Sequence, residues 1–369
     1  MTFNIDIRKE RKKMKFIHIA DLHFDSPFTI LSNNGRFGIE RRIEQRQALK
    51  DVINYIKEND IDYLFISGDL YENEYIRKST IEYINELFKE IPFTKIFISP
   101  GNHDPYIKDS FYSNFEWNRN VKIFKELEGV ETEQANIYGY GFDDFYSKNC
   151  NLGQIELLNN GKPNILVIHG NLDGAKVEER EYNVIYSRDL QKFDYVALGH
   201  IHKTNYRESQ KIIYPGSLLS LGFDELGEHG MIEGEIKDNK LNIEFITVDP
   251  KEFIVKEVDC TQYSTIEELL EGINSIKIEE NNFYEIELIG RRNFEINIYE
   301  LKKIILNERI LKFKNSTKIN YNLEKIANEA TLKGLFAKEM LERVEKAKTK
   351  EEKEIIENAI QIGIEVLEK

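Results

Sequence analysis

The chain has 369 residues, 41% of them apolar and 31% charged, an ordinary composition for soluble globular domains and enough for two or three of them. Its 65 acidic residues outnumber its 51 basic ones, and the resulting formal charge of -14 argues against a generic nucleic-acid coat. There is no apolar run near the ~18 residues of a membrane span, no signal-peptide core, and only two cysteines, Cys150 and Cys260. Membrane, secreted and disulfide-rich classes are therefore excluded, and a reducing, cytoplasmic setting is expected.

Met1–Lys13 carries five basic and two acidic residues and reads as a flexible leader. The first element is a buried strand over Lys15–Ala20. Further strand-like runs each end in a polar cluster: Asp62–Ser67, Lys95–Ser99, Asn164–Ile168 and Tyr195–Leu198. Runs that are apolar throughout suit strands buried on both faces. Helical spacing separates them over Ile39–Asn59 (Ile43, Leu49, Ile53, Ile56) and Ser79–Lys89, which predicts an α/β domain. Ile212–Ser217 reads as strand then turn, and Met231–Lys237 and Leu241–Val248 flank Asp238-Asn239 as a β-hairpin. Pro250 marks a boundary. After it, strand-like Lys251–Val258 and Tyr284–Ile289 and helix-like Thr265–Ile273 and Ile298–Leu306 predict a small α/β module. From Leu323 two amphipathic helices follow. One stripe runs through Leu332, Leu335, Phe336, Met340 and Val344, the other through Ile355, Ile356, Ala359, Ile360 and Gly363. The expected organisation is a leader over 1–13, a domain over 14–249, a module over 250–320 and helices over 321–369.

Five of the seven histidines stand in the polar clusters that end the strands. In order these are Asp21-Leu22-His23, Gly68-Asp69, Gly101-Asn102-His103-Asp104, His169-Gly170 and Gly199-His200-Ile201-His202. All of them fall on one rim of a sheet, where α/β proteins gather functional groups. Imidazole with carboxylate suits Mn, Fe, Zn or Co rather than Ca. In extended backbone, positions i and i+2 share a face, so Asp21/His23 and His200/His202 are each able to chelate. The other two histidines take structural readings: His18 as a core residue, His229 as a turn residue.

The ordered set D-x-H, G-D, G-N-H-D, H-G and G-H-x-H resembles the calcineurin-like metallophosphoesterase superfamily over about Lys15–Leu221. Within it, Phe16–Phe28 (FIHIADLHFDSPF), Gly68–Tyr71 (GDLY) and Tyr214–Ser217 (YPGS) look most like the SbcD-type DNA repair nucleases, in particular their YhaO-like branch. The resemblance implies a four-layer α/β/β/α metallophosphoesterase sandwich followed by a small α/β cap and C-terminal helices. It assigns one metal to Asp21, His23, Asp69 and His202 and another to Asp69, Asn102, His169 and His200, with Asp69 bridging. Two Mn2+ are the implied cofactors. Ions about 3.5–4 Å apart activate a water and clamp an in-line displacement at phosphorus. His103 would stabilise or protonate the leaving oxygen, oriented by Asp104.

The implied function is a Mn2+-dependent DNA exonuclease of repair or recombination, with endonuclease capacity left open. Its implied partners are DNA, an SbcC-like (YhaN-like) coiled-coil ATPase and a second copy of the chain. Two departures stand out. The arginine of the phosphatase pattern G-D-x-V-D-R-G is absent from Gly68–Asn73, which disfavours protein phosphatase activity. Glu72 occupies the place of a second catalytic histidine found in some nuclease relatives, either as a supporting group or with that role unfilled.

Smaller features carry two readings each. Arg36, Arg41, Arg42 and Arg46 form either a salt-bridged helix surface or a contact with a phosphate backbone. Asp25 and Ser26 either shape their loop or touch substrate. Arg291–Lys318 holds eight basic and three acidic residues, either a solvated helix face or a duplex-contacting surface on which Arg291, Arg292, Lys312 and Lys314 bind DNA phosphates. The terminal stripes pack on their own domain or dock on the ATPase. The alternatives to a nuclease are a phosphodiesterase or phosphatase for a nucleotide or other small phosphoester, and a scaffold subunit whose site has decayed.

Overall fold

The computed structural model describes residues 13–28, 35–146, 150–173, 183–305 and 307–367. The leader expected over 1–13 lies outside them except for Lys13, which already pairs with Lys237 in the first strand. By internal contacts the chain divides into two units between Phe253 and Ile254.

The first unit runs β1 (Lys13–Ile19), α1 (Gly35–Glu58), β2 (Tyr63–Ile66), α2 (Lys78–Lys89), β3 (Lys95–Ile98), α3 (Phe111–Asn114) and β4 (Val121–Ile123). It continues with β5 (Glu128–Glu131), β6 (Asn136–Tyr140), β7 (Asn164–His169), β8 (Asn171–Leu172), β9 (Val184–Ile185), α4 (Ser187–Leu190) and β10 (Tyr195–Gly199). It closes with β11 (Ile212–Ile213), β12 (Gly230–Lys237) and β13 (Lys240–Thr247). One sheet has the order β13-β12-β1-β2-β3-β4 and the other β11-β10-β7-β6-β5. β1, β2, β3 and β4 are mutually parallel, as are β6, β7, β10 and β11. The expected hairpin is β12-β13, joined antiparallel to β1.

Strand alternation builds the layers. Phe16, Phe65 and Phe97 on one sheet meet Ile165, Val167 and Ala197 on the other, forming a core between the sheets. The intervening positions Ile17, Ile19, Leu64, Ile66 and Ile98 face Leu49, Val52, Ile53 and Ile56 of α1 and Ile81, Ile84 and Phe88 of α2. On the far side, Leu166, Ile168, Val196 and Leu198 are covered by Leu190 of α4, Phe193 and the turn residue Leu152. The α/β/β/α sandwich is therefore present, its fourth layer made of short pieces among the described residues. α1 is longer than its spacing suggests, and Ile43 is 62% exposed rather than part of the core.

The four arginines of the first helix separate by environment. Arg36 is a surface partner of Glu40. Arg41 is buried, with Nη1 3.1 Å from Asp249 Oδ1, Nη2 on the other Asp249 oxygen, and both Nε and Nη2 on the Ser220 carbonyl. It ties α1 to the segment after β13, and the phosphate-contact reading does not hold for it because no solvent reaches its guanidinium.

The second unit runs β14 (Phe253–Asp259), α5 (Ile266–Asn274), β15 (Phe283–Ile289), β16 (Arg291–Arg292), α6 (Ile298–Ile304), β17 (Ile310–Asn315) and β18 (Lys318–Ile319). It ends in α7 (Leu323–Ala327), α8 (Leu332–Lys346) and α9 (Lys350–Leu367). β14-β15-β17 form a sheet whose core is Val258, Leu269, Ile273, Ile286, Leu288, Leu301 and Phe313. The basic stretch is thus largely strand and turn, not one helix face. In the parallel register Lys312 lies opposite Glu285 and Lys314 opposite Glu287, with ion pairs at 2.8 and 2.9 Å. Arg291 pairs with Glu357 at 2.9 Å. Arg292 is buried and donates to Thr317 Oγ1 and the Phe294 carbonyl, so it is not a surface contact. α8 and α9 pack through Ala337, Met340, Ile360 and Ile364 with Phe336, Val344 and Ile356.

Arg41→Ala leaves Asp249 buried without its cation and is expected to cost about 3–5 kcal/mol. Arg36→Ala removes an exposed i,i+4 pair and should stay within about 0.5 kcal/mol of the parent. Urea denaturation of the two variants checks the contrast.

Candidate metal centre

The parallel strands of both sheets end on the same rim. β1 leads into Asp21 and His23, β2 into Asp69, and β3 into Asn102 and His103. β7 ends on His169 and β10 leads into His200 and His202. A bridge between Ala20 and Ser217, and Gly199 opposite His169 in the β7/β10 pair, hold the rim together.

The ligand pairs do not converge by strand alternation, contrary to the sequence argument. Asp21 (φ +53°), His23 (+47°), Asp69 (+50°) and His200 (+109°) leave the extended region altogether. Such residues cost roughly 1–3 kcal/mol each and persist only where neighbours over-determine them. Here they do. Asp21 N–H donates to the Gly68 carbonyl at 3.1 Å and His23 N–H to the Asp69 carbonyl at 2.9 Å. His200 N–H donates to the Asp21 carboxylate at 3.0 Å. Gly101 must be glycine, since a Cβ there would lie 2.2 Å from Asp69 Oδ1.

The side chains meet in two overlapping groups. His23 Nε2 is 3.0 Å from His202 Nε2 and 3.7 Å from Asp69 Oδ2, and Asp21 offers an oxygen to the same two rings. His169 Nε2 is 3.3 Å from Asp69 Oδ2 and 3.1 Å from Asn102 Oδ1, with the His200 ring edge-on at 5.2 Å between centroids. Asp21 and Asp69 also group with His169, which places both carboxylates between the two sets.

The outward nitrogens explain why Nε2 faces inward. His23 Nδ1 holds Glu72 Oε1 at 2.7 Å, His202 Nδ1 holds Glu225 Oε1 at 2.5 Å, and His169 Nδ1 holds the Ser67 carbonyl at 2.8 Å. Each Nδ1 is thus placed to donate, leaving an Nε2 lone pair for a cation. Two Nε2 atoms 3.0 Å apart, with buried carboxylate oxygens beside them, fit divalent transition-metal ions.

Glu72 bridges two rings, since its other oxygen accepts from His103 Nδ1 at 2.9 Å. That role was expected of Asp104. Asp104 is instead buried, accepting from the N–H groups of Asp69 (3.0 Å), Leu70 (2.6 Å) and Gly101 (2.6 Å) and from the Tyr112 hydroxyl (2.7 Å). It staples the loops after β2 and β3 and has no oxygen left for His103. Glu225 went unnoticed in the sequence because nothing in its spacing points to the rim. It also accepts from Ser217 Oγ and Leu221 N–H. His229, read as a turn residue, is buried behind it and bonded to the Glu225 carbonyl at 2.7 Å. His18 is a core residue, held by Tyr195, Ser67 and Leu198, and burial pushes its pKa down to about 3.

Charge balance in the metal-free rim falls on the rings. Burial opposes protonation of His169, but the charge and hydrogen bond of Asp69 prevail and its pKa stands at about 9. His202 also reaches about 9, where the hydrogen bond to Glu225 and the charge of Asp21 outweigh burial. For His103, burial is outweighed by the hydrogen bond to Glu72 and the charge of Asp69, again giving about 9. His200 is held near 3 by burial and by the neighbouring His169 charge.

Residues 14–204 match the family of calcineurin-like phosphoesterases. The chain is 27% identical over 331 residues to the SbcD component of the SbcCD nuclease of Staphylococcus epidermidis, covering 80% of this chain and 84% of that protein. It is 26% identical over 247 residues to the uncharacterized metallophosphoesterase YhaO of Bacillus subtilis, covering 63% of this chain and 60% of that protein.

Only neutral imidazole ligates a metal, while His169 and His202 hold protons below about pH 9 in the metal-free protein. Divalent-metal binding should therefore release protons at neutral pH, and affinity should rise with pH and flatten above about 9. Calorimetry in buffers of different ionisation enthalpy reads this directly; an enthalpy independent of buffer would contradict it. Glu72→Gln should weaken metal binding about 10- to 100-fold by loosening His23, measured in the same titration.

Proposed function

This chain belongs to the calcineurin-like phosphoesterase family, and from that premise we propose that it is a divalent-metal-dependent DNA nuclease, a phosphodiester hydrolase acting at DNA ends in repair or recombination. The observation that carries the reading is the reach of the staphylococcal likeness. It covers 80% of the chain, more than the first unit can supply, and so includes part of the second unit. A hydrolase of small phosphoesters needs only the metal rim.

Asp21, His23, Asp69 and His202 would hold one divalent ion and Asp69, Asn102, His169 and His200 the other, with Mn2+ the ion we favour. Such ions, when bound, supply Lewis acidity and lower the pKa of a coordinated water. The chain's own residues do the rest. Asp69 is positioned by His103 N–H on Oδ1 and by His169 near Oδ2. Glu72 fixes the His103 ring through Nδ1 and leaves Nε2 to donate a proton to the leaving oxygen. That ring is partly exposed, its side chain at 45%, and in the metal-free rim the Glu72 hydrogen bond and the Asp69 charge raise its pKa to about 9 against burial, which favours a proton-donating role.

The staphylococcal relative is by name one component of a nuclease, which supports an ATPase partner of the SbcC type here. α8 and α9 bury one set of apolar residues on each other and leave Leu332, Leu335, Ile355, Ile362 and Val366 exposed, each above 60%. We assign that second stripe to the partner. Among the described residues no helix is long and apolar enough to cross a membrane. Lys312 and Lys314 are exposed and retain a role in DNA contact only if phosphates displace Glu285 and Glu287.

With Mn2+, the purified chain should hydrolyse a labelled duplex, and chelation should abolish turnover. Turnover of bis-p-nitrophenyl phosphate alone, across metals and salt, would replace the nuclease with a small-phosphoester enzyme. No turnover of either ester would leave the scaffold. Asp69→Asn should reduce duplex turnover at least 100-fold. Leu335→Glu with Ile362→Glu should abolish capture of an SbcC-type ATPase and spare hydrolysis. Charge reversal at Lys312 and Lys314 tests the second unit: unchanged duplex affinity and salt dependence would remove those lysines from the interface.

A further inference from the structure

A cavity of about 330 Å³ opens beside the loop that carries Asp21 and His23. Arg42 and Arg46 of α1 and Arg77, just before α2, converge on it, together with Asp25, Tyr75 and Ser79. The chain is acidic, and many of its surface cations are matched to carboxylates, as Arg36 is by Glu40 and Lys57 by Glu90. In this cavity the balance is reversed.

Its one lining carboxylate, Asp25, is already committed. Oδ1 accepts from Arg46 Nη2 at 3.1 Å, and Oδ2 accepts from Thr80 Oγ1 at 2.7 Å and from the Arg77 backbone N–H at 3.1 Å. Among the described residues the Arg42 side chain meets the Phe28 ring, at 5.8 Å, and its backbone carbonyl accepts from Arg46 Nη1 at 3.1 Å. The Arg77 guanidinium has no ion-pair partner among the described residues. Three guanidiniums therefore face one carboxylate in a concave site, a local excess of two positive charges. No acidic residue stands in the first turn of α2 to offset it.

Guanidinium forks match the oxygens of a phosphodiester in shape and in charge. The cavity is also tied to the metal rim. Asp25 follows His23 by two residues, Ser26 N–H closes a turn on the His23 carbonyl at 3.0 Å, and Gln45 of α1 donates to that same carbonyl at 3.1 Å. A group bound among the arginines would therefore sit against the loop that carries Asp21 and His23.

We propose that Arg42, Arg46 and Arg77 form a second phosphate subsite, which holds a neighbouring backbone phosphate of the strand whose scissile phosphate sits at the metal centre. The inference rests on the nuclease reading and deepens it by naming what grips the strand outside the metals. It also separates the four arginines of α1. Arg41 braces the fold, Arg36 is a surface ion pair, and only Arg42 and Arg46 point at the ligand. Arg77 joins them from a different element.

The test compares full-length parent with Arg42→Ala/Arg77→Ala, leaving Arg46 to hold Asp25. With Mn2+, kcat/KM is measured for a labelled duplex and for bis-p-nitrophenyl phosphate, which carries only the scissile phosphate. The ratio of duplex to small ester should fall about tenfold in the double variant. The plot of log affinity against log salt for the duplex, taken with Ca2+ to suppress cleavage, should become shallower by about 0.9, the slope of one phosphate contact. An unchanged ratio with an unchanged slope would overturn the subsite while leaving the nuclease reading intact. A parent that turns over the small ester but no duplex would overturn the nuclease reading itself, and the subsite with it.

Discussion

Two carboxylates, Asp21 and Asp69, are buried side by side at the rim of the sandwich. Among the described residues neither is ion-paired to a lysine or arginine. Buried charge without compensation is among the costliest features a fold can carry. Burial lifts the pKa of Asp21, while His169 and its neighbours hold Asp69 well below the usual range against the same burial. The compensation must come from imidazoles carrying protons or from metal cations. The same rings can serve both purposes, which makes an exchange of protons for metal ions the behaviour expected of this rim.

The rest of the rim keeps those rings at that exchange. Glu72 and Glu225 hold Nδ1 of His23, His103 and His202, and the Ser67 carbonyl does so for His169. Asp104 binds three backbone N–H groups from two loops, which fixes where Asp69 begins. Left-handed backbone at Asp21, His23, Asp69 and His200 lets three short loops turn sharply enough to meet. This strain is sustained by the parallel sheets beneath it, whose aromatic core between Phe16, Phe65 and Phe97 leaves the strand ends little freedom.

Charge has to be read locally in this molecule. The total of -14 says little about where an anionic strand can approach. In the basic stretch of the second unit, Lys312 and Lys314 are matched across β15 and β17, acid against base in register. By contrast, three arginines near the metal loop share one carboxylate inside a chain rich in acids. With the proposed subsite, attraction for phosphate would be concentrated in that cavity rather than spread over the surface.

Much of this was legible in the sequence. Strands β1, β2, β3, β7 and β10, the hairpin over β12 and β13, and the polar clusters at strand ends follow from runs of apolar residues whose length and flanks admit few other structures, whereas the short β4, β5 and β6 carry no such run. The residue types of the ligand set were readable for the same reason: histidine and aspartate rarely follow buried strands five times in order without a shared purpose. β17 is legible in hindsight, since Lys312 and Lys314 alternate with Leu311 and Phe313, but the density of charge concealed the period of two. What only the tertiary structure decided were contacts between residues distant in the chain. Glu72 rather than Asp104 behind His103, Glu225 behind His202, Arg41 on Asp249 and Arg77 beside Arg42 all join separate elements. Local spacing reports which way a side chain leaves its own strand or helix, and it carries no information on what another element brings to meet it.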